Sequence, residues 1–394
     1  MNTNIIECFK KCLTDSIIDI DTEITKRIDG QIRFEHILYS MSQVLGNEIS
    51  YATVNLNLKI KKIVDVKTKT LIVRKNQIDT EHFEQLNNNL LDHIYDGCKR
   101  RILAVDGTYI PLLKSLSNEG LRLSRNGNHC TTLISALFDV KRKIPINYRL
   151  YKHTNERAAL ESQLKYINRN DILIMDRGYY SLELLGTLDK LGIKTIFRLR
   201  NNLDILLKLK KIKKRECELT EDQECAHKTI PFRVIKYKIK RQIYYLGTTI
   251  YDKDIDYFKD IYWRRWKIEI NFRHSKYNLS LRKIQSKTVD AVEQDIYIHN
   301  FIFIVTSFFQ YQLQVEVDEK YTISTTSSLY ITVNKLLYLL IFKKTTVKTL
   351  NKILRILNIT KESLVLIRND REYLRIKLRQ GNKWGPNGNK YGDN

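Results

Sequence analysis

Short apolar runs that end in turn residues recur through the middle of the chain. Five segments between residues 101 and 200 share this pattern and are predicted to be β-strands: RILAVDGTYIPLL, TTLISALFDV, IPINYRLY, DILIMDRGYY and KTIFRLR. The second and third are joined by a turn at Lys141 and Arg142, so the first three predict an antiparallel meander. The fourth is apolar for most of its length, which is typical of a central strand in a sheet.

Two helices are predicted between these strands. ERAALESQLKYI has Thr154 or Asn155 at its N-cap, and SLELLGTLDKLG ends at Gly192. Three antiparallel strands followed by helix, strand, helix and strand are the order of a ribonuclease-H-like α/β fold. We therefore expect that fold for this part of the chain.

The pattern changes after residue 200. FRVIKYKIKRQIYYLGTTI alternates apolar and basic residues, which predicts strands with one solvated, positive face. The basic run from Lys208 to Arg215 is either a surface that follows a polyanion or a charged edge that prevents strand pairing. We interpret this region as a β-strand-rich insertion into the core.

Helical patterns flank the core on both sides. FEHILYSMSQVL is broken at Gly46 and Asn47, and Ser50 can cap a second helix, YATVNLNLKI. This pair is compatible with a DNA-binding helix-turn-helix; an ordinary helical hairpin is the alternative and needs no special residues. Further along, YIHNFIFIVTSFF is too short to cross a bilayer and predicts a buried core helix.

These changes divide the chain into six predicted segments. They are an N-terminal helical region (1–100), the first part of the core (101–200), the insertion (201–255), the second part of the core (256–312), C-terminal helices (313–380) and a disordered tail rich in Gly and Asn (381–394). The first residues, MNTNIIECFKK, lack the apolar stretch of a signal peptide.

The net charge favours a polyanionic partner. The 394 residues contain 68 Lys plus Arg and 44 Asp plus Glu, a formal net charge of +24. Basic and acidic residues balance over residues 1–100, so the whole excess lies in the later part of the chain. Nucleic acid fits this distribution better than a membrane surface does.

The six cysteines lack the paired spacing of a zinc site or of a disulfide framework. Cys217, Cys225 and His227 lie close together in the sequence, but one such cluster is a weak zinc signal. Reduced thiols in the cytosol or nucleus are therefore expected.

Three carboxylates occupy positions suited to phosphodiester chemistry. Two divalent ions about 4 Å apart, held by a cluster of acids, activate the attacking oxygen and stabilise the leaving oxygen. Asp106 ends the apolar run of the first strand and Asp176 ends that of the fourth, so both are expected at one edge of the sheet. A third acid must come from a helix packed across the sheet, and Glu269 is the candidate.

The segment YWRRWKIEINFRHSK predicts a basic helix that carries this glutamate. Tyr262, Arg265, Glu269 and Lys276 fall within an arc of roughly 60° on one helical face. An acid among cations on one stripe suits a site where the acid binds metal and the cations hold phosphates.

Each acid also has an ordinary interpretation. A single Asp after a strand is usually a turn or capping residue. Glu269 has Arg265 and Arg273 four residues to either side, so it fits a helical ion pair as well. The coincidence of three acids at three predicted positions of one fold favours the catalytic interpretation.

These residues resemble a known signature. Tyr262, Arg265, Glu269 and Lys276 are similar to the Y-(2)-R-(3)-E-(6)-K signature of the DDE transposases in insertion sequence family four. AVDGT around Asp106 and MDRGYY around Asp176 look like that family's two aspartate motifs. SKTVDAVEQDIYIHN resembles the helix after the signature, so the resemblance covers about residues 101–300.

The resemblance implies a role for each residue. Asp106, Asp176 and Glu269 would be catalytic and would hold two Mg²⁺ ions, with Mn²⁺ as a substitute. The DNA-contacting residues would be Tyr262, Arg265, Lys276, Arg177 and Arg273, although Arg177 fits a salt bridge within the domain equally well.

The resemblance also implies an activity. The enzyme would hydrolyse double-stranded DNA at transposon ends, through a hairpin intermediate, and join the 3′ hydroxyl to target DNA as a homodimer. No membrane and no small-molecule substrate are expected, and the location would be the cytoplasm of a prokaryote or a eukaryotic nucleus. A nuclease without strand transfer and a domesticated DNA-binding protein are the alternatives.

One aromatic feature departs from the family. In relatives, an aromatic residue of the insertion stacks on a flipped base, but residues 177–261 contain no Trp. Tyr237 or Tyr244 would have to take that role. Trp263 and Trp266 lie on the helix instead and are predicted to pack in the core.

Overall fold

The computed structural model describes residues 2–25, 31–239 and 242–367. Its helices surround one large sheet and are listed here with their bounds: α1 (Thr3–Thr25), α2 (Phe34–Asn47), α3 (Tyr51–Ile60), α4 (Thr68–Asn76), α5 (Thr80–Tyr95), α6 (Glu156–Glu161), α7 (Leu182–Lys190), α8 (Leu207–Lys211), α9 (Ile255–Arg264), α10 (Trp266–Asn278), α11 (Val289–Gln314), α12 (Thr325–Ile331), α13 (Leu337–Phe342) and α14 (Val347–Lys361). The strands are β1 (Ile102–Leu112), β2 (Cys130–Asp139), β3 (Ile144–Tyr151), β4 (Ile172–Met175), β5 (Lys194–Arg198), β6 (Cys217–Glu224), β7 (Thr229–Ile239), β8 (Gln242–Thr248), β9 (Tyr321–Ile323) and β10 (Leu364–Leu366).

The main sheet has the order β3-β2-β1-β4-β5-β8-β7-β6. Strands β1, β2 and β3 form the predicted antiparallel meander, and β4 and β5 continue the sheet in parallel with β1. Helices α6 and α7 provide the crossovers before and after β4. This arrangement confirms the ribonuclease-H-like α/β fold that the sequence predicted.

Strands β6, β7 and β8 extend the same sheet. Antiparallel pairing of β8 with β5 joins them to the core, with Ile196 opposite Thr248. The prediction of one solvated, positive face on these strands is wrong at two residues, because Arg233 and Lys236 of β7 are buried. Arg233 forms an ion pair with Glu218, and Lys236 donates to backbone carbonyls of the segment that precedes β6.

Three predicted elements differ from the structure in length. The helix expected over 156–167 ends at Glu161, because Gln163 turns into the sheet and bonds Ser135 and Asn147. Strand β4 stops at Met175, before the turn in which the Tyr179 amide bonds the Asp176 carbonyl. Helix α2 continues through Gly46 and Asn47, and the chain reverses only at Glu48, which has a left-handed backbone conformation.

The first and last helices pack against each other around α11. The Lys10 ammonium donates to the Leu340 carbonyl at 2.6 Å, and Asn87 donates to the Tyr297 carbonyl at 2.9 Å. Phe9 of α1 stacks on Phe308 of α11 at a centroid distance of 4.6 Å. Helix α11 is buried along most of its length, as predicted for this apolar segment.

Two terminal predictions have different outcomes. Ser50 caps α3 as expected, accepting from the Thr53 amide, but whether α2 and α3 bind DNA stays a prediction. The tail predicted to be disordered, 381–394, lies outside the described residues, as does the last part of the region 313–380. In the part of the chain that the structure describes, no helix combines the length and apolarity needed to span a membrane.

Candidate active site

The three predicted acids lie on three elements that meet at one side of the sheet. Asp106 lies within β1, two residues beyond Ala104, where the pairing of β1 with β4 ends. Asp176 directly follows the last residue of β4. Glu269 lies in the first turn of α10.

The predicted helix over 262–276 is divided into α9 and α10 at Arg265. This residue keeps helical backbone angles, φ −54° and ψ −34°, so the predicted stripe survives the division. The Tyr262 hydroxyl donates to Asp176 Oδ1 at 3.1 Å. The stripe therefore reaches the second aspartate directly.

Arg265 lies between the other two acids. Its guanidinium donates to Glu269 Oε1 at 2.9 Å and is 3.5 Å from Asp106 Oδ2. The Arg265 side chain is only 4% exposed, so in this arrangement its charge is directed at the acids rather than at solvent. Its Nε atom is buried without a hydrogen-bond partner.

Burial and neighbouring charges shift the ionisation of the site. Burial raises the pKa of Asp106 to about 6; Arg265 opposes this shift, and the charges of Glu269 and Glu156 add to it. Burial also raises the pKa of Tyr262 to about 12, so its hydroxyl stays protonated and can donate at neutral pH. Besides the Tyr262 hydroxyl, Asp176 has the guanidinium of Arg198 at 3.8 Å.

The donor set of the site suits a hard divalent cation. Carboxylate oxygens are the protein ligands that Mg²⁺ prefers, and Mn²⁺ accepts the same donors. Among residues 2–25, 31–239 and 242–367, no group of three or more His, Cys, Asp or Glu is arranged to hold a metal ion. In this structure the guanidinium of Arg265 lies between Asp106 and Glu269.

The remaining predicted DNA contacts are distributed around this centre. Lys276 is half-buried on α10, and burial lowers the pKa of its ammonium while the charge of Asp106 opposes the shift. Arg177 and Arg273 are exposed. Within the described residues Arg177 forms no ion pair, so the salt bridge considered for it is absent there.

The aromatic residues differ from expectation. Trp263 is 62% exposed and Trp266 is 39% exposed, so the prediction that they pack in the core is wrong. Both lie on a helical face beside the catalytic stripe, which leaves them in solvent. Tyr237 is only 1% exposed and stacks on Tyr244 at 5.2 Å, so Tyr237 presents no face to a base.

The cysteine and histidine cluster forms no metal centre in the described chain. His227 Nε2 is 3.1 Å from Asp189 Oδ2, and Lys228 contacts the same carboxylate at 2.8 Å. Cys225 lies near His227 above Gly186. These contacts join Asp189 of α7 to the turn between β6 and β7.

A fourth acid, Glu156, was missed by the sequence reasoning. It is the first residue of α6, and its carboxylate lies against Gly107, the neighbour of Asp106. The available signal was an acidic residue at the start of the helix that leads from the third strand to the fourth. Sequence analysis took it only as part of a helix.

A ribonuclease-H-like sheet with one acid within its central strand β1, one directly after β4 and one on a packed helix is typical of a class of metal-dependent enzymes that act on nucleic acids. Within this class, the family model for the transposase DDE domain matches residues 97–305. The chain belongs to that family. A search of curated proteins finds no match to the chain.

Proposed function

We propose that this protein is a transposase of insertion sequence family four that moves its element by cut-and-paste transposition. One observation carries the proposal: the stripe Tyr262, Arg265 and Glu269 contacts both Asp106 and Asp176. Asp106 and Glu269 are more than 160 positions apart in the chain, yet they lie in one acidic site beside cations.

The acids would serve hydrolysis and strand transfer at terminal inverted repeats. Asp106, Asp176 and Glu269 would hold two Mg²⁺ ions, which lower the pKa of the attacking hydroxyl and stabilise the leaving oxygen. Tyr262 fixes the orientation of Asp176 through its hydroxyl. Arg265 would turn from the acids to a DNA phosphate, and its unpartnered Nε supplies a free donor for that contact.

The other cations would guide double-stranded DNA across the site. Lys276 and Arg273 lie on α10 together with Glu269, Arg177 directly follows Asp176, and the chain carries a net charge of +24. Such charge gives strong, salt-dependent binding to the phosphate backbone. We further propose a homodimer that binds the two transposon ends.

An in vitro cleavage assay tests this proposal. DNA from both flanks of the gene is incubated with purified protein and Mg²⁺ or Mn²⁺, together with Asp106→Asn, Glu269→Gln and the control Glu183→Gln. Glu183 is an exposed acid on α7, so its loss should leave cutting unchanged. Specific cuts at the flanks, retained in the control and reduced at least about a thousandfold in the two site variants, are expected.

Two other results would favour the alternatives. DNA binding without cutting in either metal would indicate a domesticated DNA-binding protein. Cutting without joining of the ends to target DNA would indicate a nuclease that lacks strand transfer. Undiminished cutting by Glu269→Gln would remove that residue from the site.

A further inference from the structure

The Glu156 carboxylate occupies a space that Gly107 leaves open, and it also lies near Gly178. A Cβ atom on Gly107 would lie 3.0 Å from Glu156 Oε1, and a Cβ atom on Gly178 would lie 3.9 Å from Oε2. Gly107 follows Asp106, and Gly178 is two residues after Asp176. The carboxylate of Glu156 therefore lies between the segments that carry the two aspartates.

Two hydrogen bonds to other elements and an N-cap fix the start of α6 in this position. The Tyr109 hydroxyl donates to the Thr154 carbonyl at 3.3 Å, which ties the segment to β1. Arg157 Nε donates to the Gly178 carbonyl at 3.0 Å, which ties it to the turn after β4. Asn155 caps the helix by accepting from the amides of Arg157 and Ala158. Contacts with β1 and with the turn after β4 thus determine the position of Glu156.

Glu156 differs from the other acids of the site in its partners. Asp106 and Glu269 share Arg265, and Asp176 has Tyr262 and Arg198. In the described chain the Glu156 carboxylate accepts no hydrogen bond and forms no ion pair, although it is half-buried. A half-buried carboxylate beside other acids is unfavourable unless a cation is shared among them.

We propose that Glu156 is a fourth acidic residue of the metal site, which positions and strengthens the binding of a divalent cation between Asp106 and Asp176. This inference rests on the proposed function, because it requires a cation at the two aspartates. The cation would then have carboxylates from two helices, Glu156 of α6 and Glu269 of α10, beside the two aspartates. It also explains why a glycine follows Asp106, because a Cβ atom at Gly107 would crowd the carboxylate.

Mn²⁺ binding to the full-length protein without DNA tests the inference. Titration calorimetry is run on the wild-type protein, Glu156→Gln, Asp176→Asn and the control Glu161→Gln, an exposed acid at the other end of α6. We expect Glu156→Gln to weaken Mn²⁺ binding by about tenfold or more, as loss of a supporting carboxylate does. The control should match the wild-type affinity, and circular dichroism confirms that each variant is folded.

The outcomes separate this inference from the proposed function. If Asp176→Asn weakens Mn²⁺ binding and Glu156→Gln binds as the wild type does, the inference is wrong and the proposed site stands. If Asp176→Asn binds Mn²⁺ normally, the proposed site itself fails. If Glu156→Gln does not fold, Glu156→Asp replaces it in the titration. This variant keeps the negative charge, but its carboxylate is one methylene farther from the aspartates. Wild-type affinity for Mn²⁺ in Glu156→Asp would then overturn the inference.

Discussion

At the scale of single residues, Gly107 is the position with least room in the active site. A Cβ atom there would lie 2.8 Å from Leu133 Cδ1 and 3.0 Å from Glu156 Oε1. We expect Gly107→Ala to lower the free energy of unfolding by about 1–3 kcal/mol, because Leu133 and Glu156 must both move. Urea denaturation measures this change.

Gly178→Ala is the matched control for that substitution. Its Cβ atom would make only an ordinary contact, at 3.9 Å from Glu156 Oε2. A change within about 1 kcal/mol of the wild type is expected for this variant. Equal losses in the two variants would show that crowding at Gly107 is not the cause.

The residue scale also shows what the sequence alone could predict. Helical spacing is a local property, so the stripe of Tyr262, Arg265 and Glu269 could be derived from it. The burial of Arg265 and the exposure of Trp263 could not, because both depend on how the helix is rotated against a sheet formed by distant segments. Glu156 was missed for the same reason: its neighbours, Gly107 and Gly178, come from two other elements.

At the scale of elements, the contact between α1 and α13 contains a buried lysine. Burial lowers the pKa of Lys10 from 10.5 to about 8. Between about pH 8 and 10.5 the unfolded chain therefore binds more protons than the folded chain, so stability from this group rises with pH there. Below pH 8 the full cost of charging the buried amine is present.

Lys10→Met is expected to remove this contribution. The wild type gains stability from pH 7.5 to pH 10 and the variant lacks this gain. The free energy of unfolding of the variant minus that of the wild type should therefore fall by on the order of 2 kcal/mol over this range. Urea denaturation across that range measures the difference. Lys11→Met, an exposed position on the same helix, should show no such trend, and a flat difference for Lys10→Met would contradict the expectation.

The contact between β8 and the core sheet depends on a second glycine. A Cβ atom on Gly247 would lie 2.2 Å from the ring of Phe232, which itself stacks on Tyr180. Gly247→Ala should therefore cost about 3 kcal/mol of stability. The double variant with Phe232→Leu should recover part of this loss, and strictly additive effects would show that the ring is not the obstacle.

Element lengths were the least predictable part of the fold. The strands β1, β2, β3 and β5 follow from short apolar runs that are bounded by turn residues. The end of α6 does not, because Gln163 is drawn into hydrogen bonds with Ser135 and Asn147 of distant strands. Similarly, nothing local in the sequence indicates that β8 pairs with β5 to form one continuous sheet.

At the scale of the whole molecule, the match to the transposase DDE domain does not coincide with a folding unit. The matched residues, 97–305, exclude α1 to α5 and α12 to α14, yet α5 and α1 pack on α11. We expect a fragment of residues 97–305 to lack a cooperative thermal transition and to aggregate, because the buried face of α11 becomes exposed. Calorimetry and light scattering test this.

Removal of residues 381–394 provides the control for that truncation. The Gly- and Asn-rich composition of this tail predicts disorder, so its loss should change Tm by no more than about 2 °C. A fragment of residues 97–305 that unfolds cooperatively would show that the core is independent of the terminal helices.

The packing of the first helices against the last ones has a consequence during protein synthesis. Helices α1 to α5 end at Tyr95, but α14, which packs on α1, extends to Lys361. At about 5–20 residues per second, roughly 13–50 s pass between the synthesis of Tyr95 and that of Lys361, and during this time the face of α1 that packs on α14 stays uncovered. An uncovered apolar face makes the nascent chain prone to aggregate, so we expect copies of the gene interrupted before α14 to yield chains that aggregate or are degraded rather than folded competitors of the intact protein.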